Sequence, residues 1–270
     1  MLMAALVQAT ATVATALDPT RLFEAAGLGA PDPWQQELLL EPWERALLLC
    51  SRQVGKSTAA AAIAEHRAVY RPGSDVLILS PSQRQSKETF GKVWDFYRAT
   101  GKPGTVEKKS ELRLRLANGS RILALPGKEE TVRGFSSVDL LLLDEAALVP
   151  DDLYYTIRPM LAVSGGRLLA LSTPKGKRGW FYEEWTGEAD WKRVKVTAYD
   201  CPRLTDEYLE EERKALGDRW FAQEYLCRFN ELSGALFRQD DIEAAFEGGF
   251  EPMFSPTAGG KEDFDRIITE

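Results

Sequence analysis

The chain has 270 residues, 44% of them hydrophobic and 28% charged, which is typical of one large globular α/β domain with room for a small appendage. Its net charge of −7 argues against a protein that coats nucleic acid, although a small basic patch can still contact DNA. A single histidine, His66, makes a histidine-based metal site or a Ser-His-Asp triad untenable. The three cysteines lack a metal-ligand spacing and indicate reduced thiols in a cytosolic protein. Neither a signal peptide nor a membrane span is expected from the apolar pattern.

The stretch Cys50–Ser57 follows an apolar run and precedes an alanine-rich run, which predicts a strand, a tight loop and a helix. Such a loop binds phosphate, because its unpaired N–H groups and the helix dipole both favour an anion. The pattern GxxxxGK(S/T) is met at Gly55, Lys56 and Ser57, while Cys50 replaces its first glycine. We expect Lys56 to reach the β- and γ-phosphates of ATP and the Ser57 hydroxyl to hold Mg²⁺. The nucleotide-binding residues assigned to this stretch are Ser51, Arg52, Gln53, Val54, Gly55, Lys56, Ser57 and Thr58.

A second signal is the run Leu140–Leu143, which is followed by Asp144 and Glu145. It predicts a buried strand that carries two acids to its C-terminal tip. That arrangement is costly unless a cation or hydrogen bonds meet the carboxylates. We expect Asp144 to bind Mg²⁺ opposite Ser57, and Glu145 to orient and deprotonate the attacking water. The two signals in this order are far more specific than either one alone.

Two further stretches flank these signals. Trp34 and Gln35 open a predicted helix upstream of the loop, where Trp34 can pack and the Gln35 amide can both donate to and accept from adenine. An ordinary surface glutamine is the alternative. The apolar run Arg167–Ser172 predicts another buried strand, and Thr173 after it can hydrogen-bond the γ-phosphate or its water.

Two arginines compete to neutralise transition-state charge. Arg133, in a polar loop, can reach the γ-phosphate bound by a neighbouring subunit, whereas Arg52 lies in the phosphate loop and would act within its own chain. The sequence leaves this choice open.

The most basic region of the chain is a predicted hairpin. Residues 111–117 alternate, Asn118 and Gly119 form a turn, and residues 121–125 complete the pair. Arg113, Arg115 and Arg121 are expected on its exposed face. This region is either a solvated polar face or a contact for nucleic acid or another subunit.

Together these residues resemble the ATPase domain of the large terminase subunit of tailed bacteriophages, over roughly Pro33 to Phe229. Trp34 and Gln35 are similar to the adenine-recognition motif of that family. The stretch Arg52–Ser57 is similar to its variant phosphate loop, which often lacks the first glycine. Asp144 and Glu145 after four leucines are similar to its acidic motif.

The resemblance continues beyond the acids. The stretch Ser172–Gly176 is similar to the coupling motif of the family, and Arg133 matches the position of a proposed trans-acting arginine. Residues 199–202 with 221–225 look like its lid region. The fold implied is a RecA-like (ASCE P-loop NTPase) parallel sheet flanked by helices, with a small helical lid subdomain.

The resemblance also implies a function. It is that of an ATP-hydrolysing motor, with ATP and Mg²⁺ as cofactors, that translocates double-stranded viral DNA into a procapsid in the host cytoplasm. The implied partners are double-stranded DNA, the portal protein, the small terminase subunit and further copies of the chain in a homo-oligomeric ring, usually a pentamer. No membrane is involved.

The expected organisation is an N-terminal helical lead-in (1–30), an ATPase core (31–200), a helical lid subdomain (201–245) and a linker (246–270) towards a nuclease domain that these residues do not include. We therefore expect no DNA cleavage from this chain. A helicase-like translocase, an inactive P-loop scaffold and a small-molecule kinase are the alternatives. Intact Lys56, Asp144 and Glu145 argue against a scaffold. Glu145 argues against a kinase, because a carboxylate at this position suits the activation of water, which a kinase must avoid.

Overall fold

The computed structural model describes residues 2–101, 106–128, 132, 134–135 and 137–231. Apart from Glu231, they belong to one compact unit, Met1–Asn230. The helices are α1 Leu2–Leu17, α2 Arg21–Ala25, α3 Pro33–Leu40, α4 Lys56–Tyr70, α5 Gln83–Ala99, α6 Asp151–Ile157, α7 Trp180–Thr186 and α8 Asp206–Glu224. The strands are β1 Arg45–Cys50, β2 Asp75–Ser80, β3 Val106–Lys109, β4 Arg113–Leu116, β5 Arg121–Pro126, β6 Leu140–Asp144, β7 Arg167–Ser172 and β8 Lys192–Val196.

These strands form one sheet in the order β3-β4-β5-β2-β6-β7-β1-β8. Every neighbouring pair from β5 to β8 is parallel, which confirms the predicted parallel core. The sheet as a whole is mixed, because β3 and β4 pair antiparallel at the β5 edge. A hairpin with a short turn can only be antiparallel, so the predicted hairpin adds an antiparallel edge to the parallel core.

The position of β7 organises the candidate site. It lies between β1, which leads into the phosphate loop, and β6, which ends at Asp144. Parallel strands end at the same edge of a sheet, so the residues after β1, β6 and β7 meet there. We call this the carboxyl edge, and the opposite one, where the same strands begin, the amino edge.

The sheet is covered on both faces. Alternate strand residues point to opposite sides. Leu48 and Leu142 join a core with α3, α4 and α5, while Leu47 and Leu141 join a core with α6 and α7. The central strands are buried on both faces and therefore read as continuous apolar runs.

The predicted hairpin is confirmed, with Arg115 opposite Arg121 across β4 and β5. All three of its arginines are exposed. Arg115 forms an ion pair with Glu107, and Arg121 forms one with Asp75. These acids offset part of the charge that made the region look basic in sequence.

The helical appendage begins at Asp206, one residue after Thr205, whose hydroxyl caps α8. The sequence predicts two helices here, residues 205–216 and 218–229, separated by Gly217. Gly217 has φ 75° and does break α8 into two segments. The second segment ends at Glu224 rather than the predicted Phe229, and Cys227 beyond it has a φ of 55°, which no helix continues. Across the described residues, no helix has the length and apolarity that a membrane span requires.

Candidate active site

The phosphate loop presents unused hydrogen-bond donors. The backbone N–H groups of residues 53–57 donate to no described residue, whereas those of Ser51 and Arg52 bind the carbonyls of Val196 and Glu224. Gly55, with φ 91°, turns the chain into α4. Left-handed backbone at the loop and the first turn of a helix aim these donors at one point. These free donors suit an anion, which keeps the predicted phosphate site open as a prediction.

Lys56 and Glu145 meet directly at the carboxyl edge. The Nζ atom of Lys56 lies 2.8 Å from Oε1 of Glu145, and both side chains are largely buried. Glu145 has φ 51°, a left-handed conformation that costs about 1–3 kcal/mol for a residue with a side chain. This strained turn directly after β6 holds the carboxylate over the phosphate loop.

Asp144 is buried at the tip of β6. Its carboxylate accepts hydrogen bonds from the Thr89 hydroxyl at 2.9 Å and from the Glu145 backbone N–H at 3.1 Å. Burial, and then the neighbouring Glu145, raise the pKa of Asp144. A buried carboxylate whose charged form is disfavoured gains most from a cation, which fits the predicted role in binding Mg²⁺.

The predicted metal ligands, Asp144 and Ser57, suit Mg²⁺ bound together with a nucleotide better than a metal ion held by protein side chains alone. The described residues contain no group of three or more His, Cys, Asp or Glu side chains that would hold a metal. Mg²⁺ in nucleotide sites needs only one or two protein ligands, because phosphate and water supply the rest. Asp144 and the Ser57 hydroxyl at the start of α4 match that requirement.

Gln35 reaches the phosphate loop, but its amide is already engaged. Its Oε1 accepts from the Asp32 N–H at 2.9 Å, and its Nε2 donates to the Gly55 carbonyl at 3.3 Å. Trp34 is buried in the core. Gln35, Gln53, Gly55 and Thr58 line a cavity of about 360 Å³, and Trp34 is not among its lining residues. Adenine contact by Trp34 and Gln35 therefore stays a prediction.

The predictions for the two candidate arginines and for Thr173 compare differently with the structure. Arg52 is exposed, and its side chain pairs with Glu224 of α8. Arg133 lies outside the described residues. Thr173 follows β7, between the ends of β1 and β6, as predicted. Beside it, the Ser172 hydroxyl accepts a hydrogen bond from the Ala147 N–H at 3.2 Å, which ties the β7 and β6 loops together.

Two cations near the loop were not anticipated from sequence. Lys92 of α5 lines the cavity with Gln53 and Thr58, and burial lowers its pKa although Asp144 opposes the shift. Arg203 also lines the cavity, pairs with both oxygens of Asp32 and lies 3.4 Å from the Val54 carbonyl. Lys92 stands three residues after Thr89 on α5, and that helical spacing was the only available sequence signal.

Comparison with known proteins places the chain in a family. The model of the N-terminal part of terminase large subunits of the T4-like-virus type matches residues 47–244. The chain belongs to the terminase large subunit family. The terminase large subunit of Thermus virus P23-45 is 30% identical over 237 residues, covering 74% of this chain and 48% of that protein. This terminase chain thus spans about half the length of the curated relatives it matches.

Solved terminases share the fold. The large terminase ATPase domain of Thermus phage P74-26 has a TM-score of 0.67 and 28% identity, covering 77% of this chain and 97% of that domain. The large terminase of the HK97 bacteriophage has a TM-score of 0.63 and 17% identity, covering 79% of this chain and 55% of that one. These likenesses confirm the expected RecA-like fold, with its order of β2, β6, β7 and β1 in the sheet.

Proposed function

We propose that this chain is an ATPase motor domain that couples ATP hydrolysis to translocation of double-stranded viral DNA into a procapsid. The contact between Lys56 and Glu145 carries the proposal, because it holds a phosphate-binding cation and a water-activating carboxylate together at the carboxyl edge. The unused N–H groups of the phosphate loop lie at the same edge. The P74-26 relative, which aligns over nearly its whole length, is an ATPase domain.

In the proposed reaction, the loop N–H groups bind the phosphates, and Lys56 exchanges Glu145 for oxygens of the γ-phosphate. Glu145 is then free to accept a proton from the water that attacks the γ-phosphorus. The bond from that phosphorus to the bridging oxygen breaks, and ADP leaves with the electron pair. Mg²⁺, held by Ser57 and Asp144, would neutralise charge on the β- and γ-phosphate oxygens. Thr173 would hydrogen-bond the γ-phosphate and signal its loss to the loop after β7.

We assign the charge-neutralising arginine to one of two residues. Arg133 would act on the nucleotide of a neighbouring copy. Arg52 would act within its own site, after leaving Glu224 of the lid. We keep as a proposal the division into an ATPase core (31–200) and a lid (201–245).

The partners proposed for the motor follow from its family. They are double-stranded DNA, a portal protein, a small terminase subunit and further copies in a ring, which assemble at the procapsid in the host cytoplasm. With a net charge of −7, the lone domain is expected to bind DNA weakly and lose that binding as salt rises.

The test is the steady-state ATPase rate per chain against protein concentration, for the wild type, Glu145→Gln, Arg133→Ala and Arg52→Ala. Glu145→Gln should bind ATP and lose about 10²–10⁴-fold in rate, because proton transfer to a positioned base contributes that much. Glu183→Gln on α7 is the matched control. Unchanged hydrolysis by Glu145→Gln would reject the proposed chemistry.

The arginine variants decide how the site is completed. A rate per chain that rises with concentration and is lost in Arg133→Ala supports hydrolysis completed by a neighbouring copy. A flat rate per chain that is lost only in Arg52→Ala assigns the role to Arg52 within one chain.

A further inference from the structure

A second cavity lies at the amino edge of the sheet, remote from the phosphate loop. It has a volume of about 410 Å³ and is bordered by the starts of β6 and β7, the end of α3 and the end of α4. Three arginines line it: Arg67 and Arg71 from α4 and its C-cap, and Arg167 from the first position of β7. Because α4 has 15 residues, this cavity lies about 22 Å along the helix from the phosphate loop.

The three guanidinium groups are incompletely neutralised. Arg67 pairs with Asp139 at 3.6 Å, but its Nε is buried and has no hydrogen-bond partner among the described residues. The Arg167 guanidinium lies 5.3 Å from the centre of the Trp43 ring. The Arg71 side chain has no hydrogen bond or ion pair to a described residue. Burial is the main cause that lowers the pKa of both Arg67 and Arg167, and the positive charge of Arg71 adds to both shifts.

Acidic side chains near the cavity do not neutralise all of this positive charge. Glu41 also lines the cavity but pairs with Lys192, and Glu44, which attracts Arg167, is exposed to solvent. His66 adds little positive charge at neutral pH, because burial lowers its pKa, although the Thr15 carbonyl, 3.0 Å from its Nε2, opposes this shift. Lys192 also pairs with Glu37, so it cancels only part of the Glu41 charge. Three cations thus face the cavity, and among the described residues only Asp139 forms an ion pair with one of them.

The arginines are not needed as caps for α4. Cations at a helix C-terminus usually interact with its last carbonyl groups. Here Asn118 Nδ2 donates to the carbonyls of Ala68 and Val69, at 2.9 and 3.1 Å. The hydroxyls of Ser74 and Ser120 donate to the carbonyl of Arg71. The helix end is satisfied, so its guanidinium groups remain available for an external anion.

We propose that this amino-edge cavity binds a small phosphate monoester. Guanidinium groups match phosphate oxygens in geometry and charge, and three of them suit a dianion. Leu38, Ile63 and Tyr70 are among the other lining residues and would contact the organic part of the ligand. A cavity of this volume accommodates a small molecule, whereas a nucleic-acid duplex needs an extended exposed surface.

The test uses the Lys56→Ala variant of the full chain, in which the phosphate loop no longer competes for anions. Binding of phenyl phosphate and of inorganic phosphate is measured by calorimetric titration, with chloride balancing the ionic strength. Phenyl phosphate should bind more tightly than phosphate, because its ring adds apolar contact. Adding Arg71→Gln should weaken phenyl phosphate binding at least about tenfold, since one charge-assisted contact is lost.

Two further variants complete the test. Arg167→Gln should have the same effect as Arg71→Gln, while Arg98→Gln on the exposed end of α5 should leave binding unchanged. Thermal unfolding without ligand shows that each variant is folded.

No binding to Lys56→Ala, or equal binding with and without Arg71, would overturn the proposal. Displacement of phenyl phosphate by a short DNA duplex would also overturn it, in favour of a nucleic-acid surface. Each of these three results would leave the ATPase proposal intact, because the two cavities share no lining residue.

Discussion

The two ends of α4 present anion sites of different construction. At its N-terminal end, consecutive residues of one loop supply the donors, and Lys56 already has an acid partner in Glu145. At its C-terminal end, Arg67, Arg71 and Arg167 come from separate stretches, with one close acid among them. Pairing with Glu145 suits a site that exchanges ligands during a reaction cycle. Three arginines that share a single ion-paired acid suit a site that holds one anion.

Lys56→Ala is expected to have the largest effect on anion binding, and only at the N-terminal end of α4. Removing a largely buried cation that contacts phosphate should weaken ATP binding about 100-fold, which corresponds to about 2.7 kcal/mol. Titration with a fluorescent ATP analogue measures this loss, and Lys87→Ala on the exposed side of α5 is the control. Phenyl phosphate binding at the amino edge should not change. A parallel loss at both ends would show that they form one coupled system.

Gly55→Ala should have the next largest effect. Its φ of 91° is unfavourable for alanine, and a Cβ there would lie 2.8 Å from Nε2 of Gln35. We expect about tenfold weaker ATP binding and a free energy of unfolding lower by about 1–2 kcal/mol. Gly73→Ala is the matched control, because it has a φ of 75° but no heavy atom within 4 Å of its Cβ. Equal ATP affinities for the two variants would show that the contact with Gln35 does not matter.

The two ends of α4 also differ in how far they could be predicted from the sequence. The loop motif, the buried strands and the acids after β6 are local patterns, so they were predicted from adjacent residues. The amino-edge cavity depends on β7 lying next to β6, which brings Arg167 towards α4 across a large sequence separation. The contact between Arg52 and Glu224 likewise depends on where α8 packs. Spatial pairings of this kind leave no periodic signal in one sequence.

A smaller effect is expected at Lys92, which extends the carboxyl-edge site to α5. Its partly buried ammonium lines the cavity with Gln53 and Thr58 and has a lowered pKa, so an anion there would be stabilised. Lys92→Gln should weaken ADP binding about fivefold, a loss typical of one partly screened charged contact. Lys109→Gln, whose cation lies over Trp94, serves as the control for charge alone. Unchanged ADP affinity in Lys92→Gln would place the nucleotide away from α5.

The smallest effect concerns the middle of α4, between the two anion sites. Glu65 is fully buried, its Oε2 has no hydrogen-bond partner among the described residues, and burial raises its pKa to about 8. The folded state therefore holds a proton there that the unfolded chain releases above a pH of about 4.5. Between these two values, stability must fall as pH rises, because the folded state binds more protons.

Glu65→Gln removes this titration, so the variant should gain about 1 kcal/mol relative to the wild type between pH 7 and pH 9. Urea unfolding at both pH values measures the gain, with the exposed Glu88→Gln of α5 as the control. A constant difference between Glu65→Gln and the wild type would show that Glu65 is ionised throughout. The two anion sites supply a second readout at pH 9. If ionisation of Glu65 loosens α4 as a whole, ATP and phenyl phosphate binding weaken together, whereas an effect confined to the interface of α4 and α5 leaves both affinities unchanged.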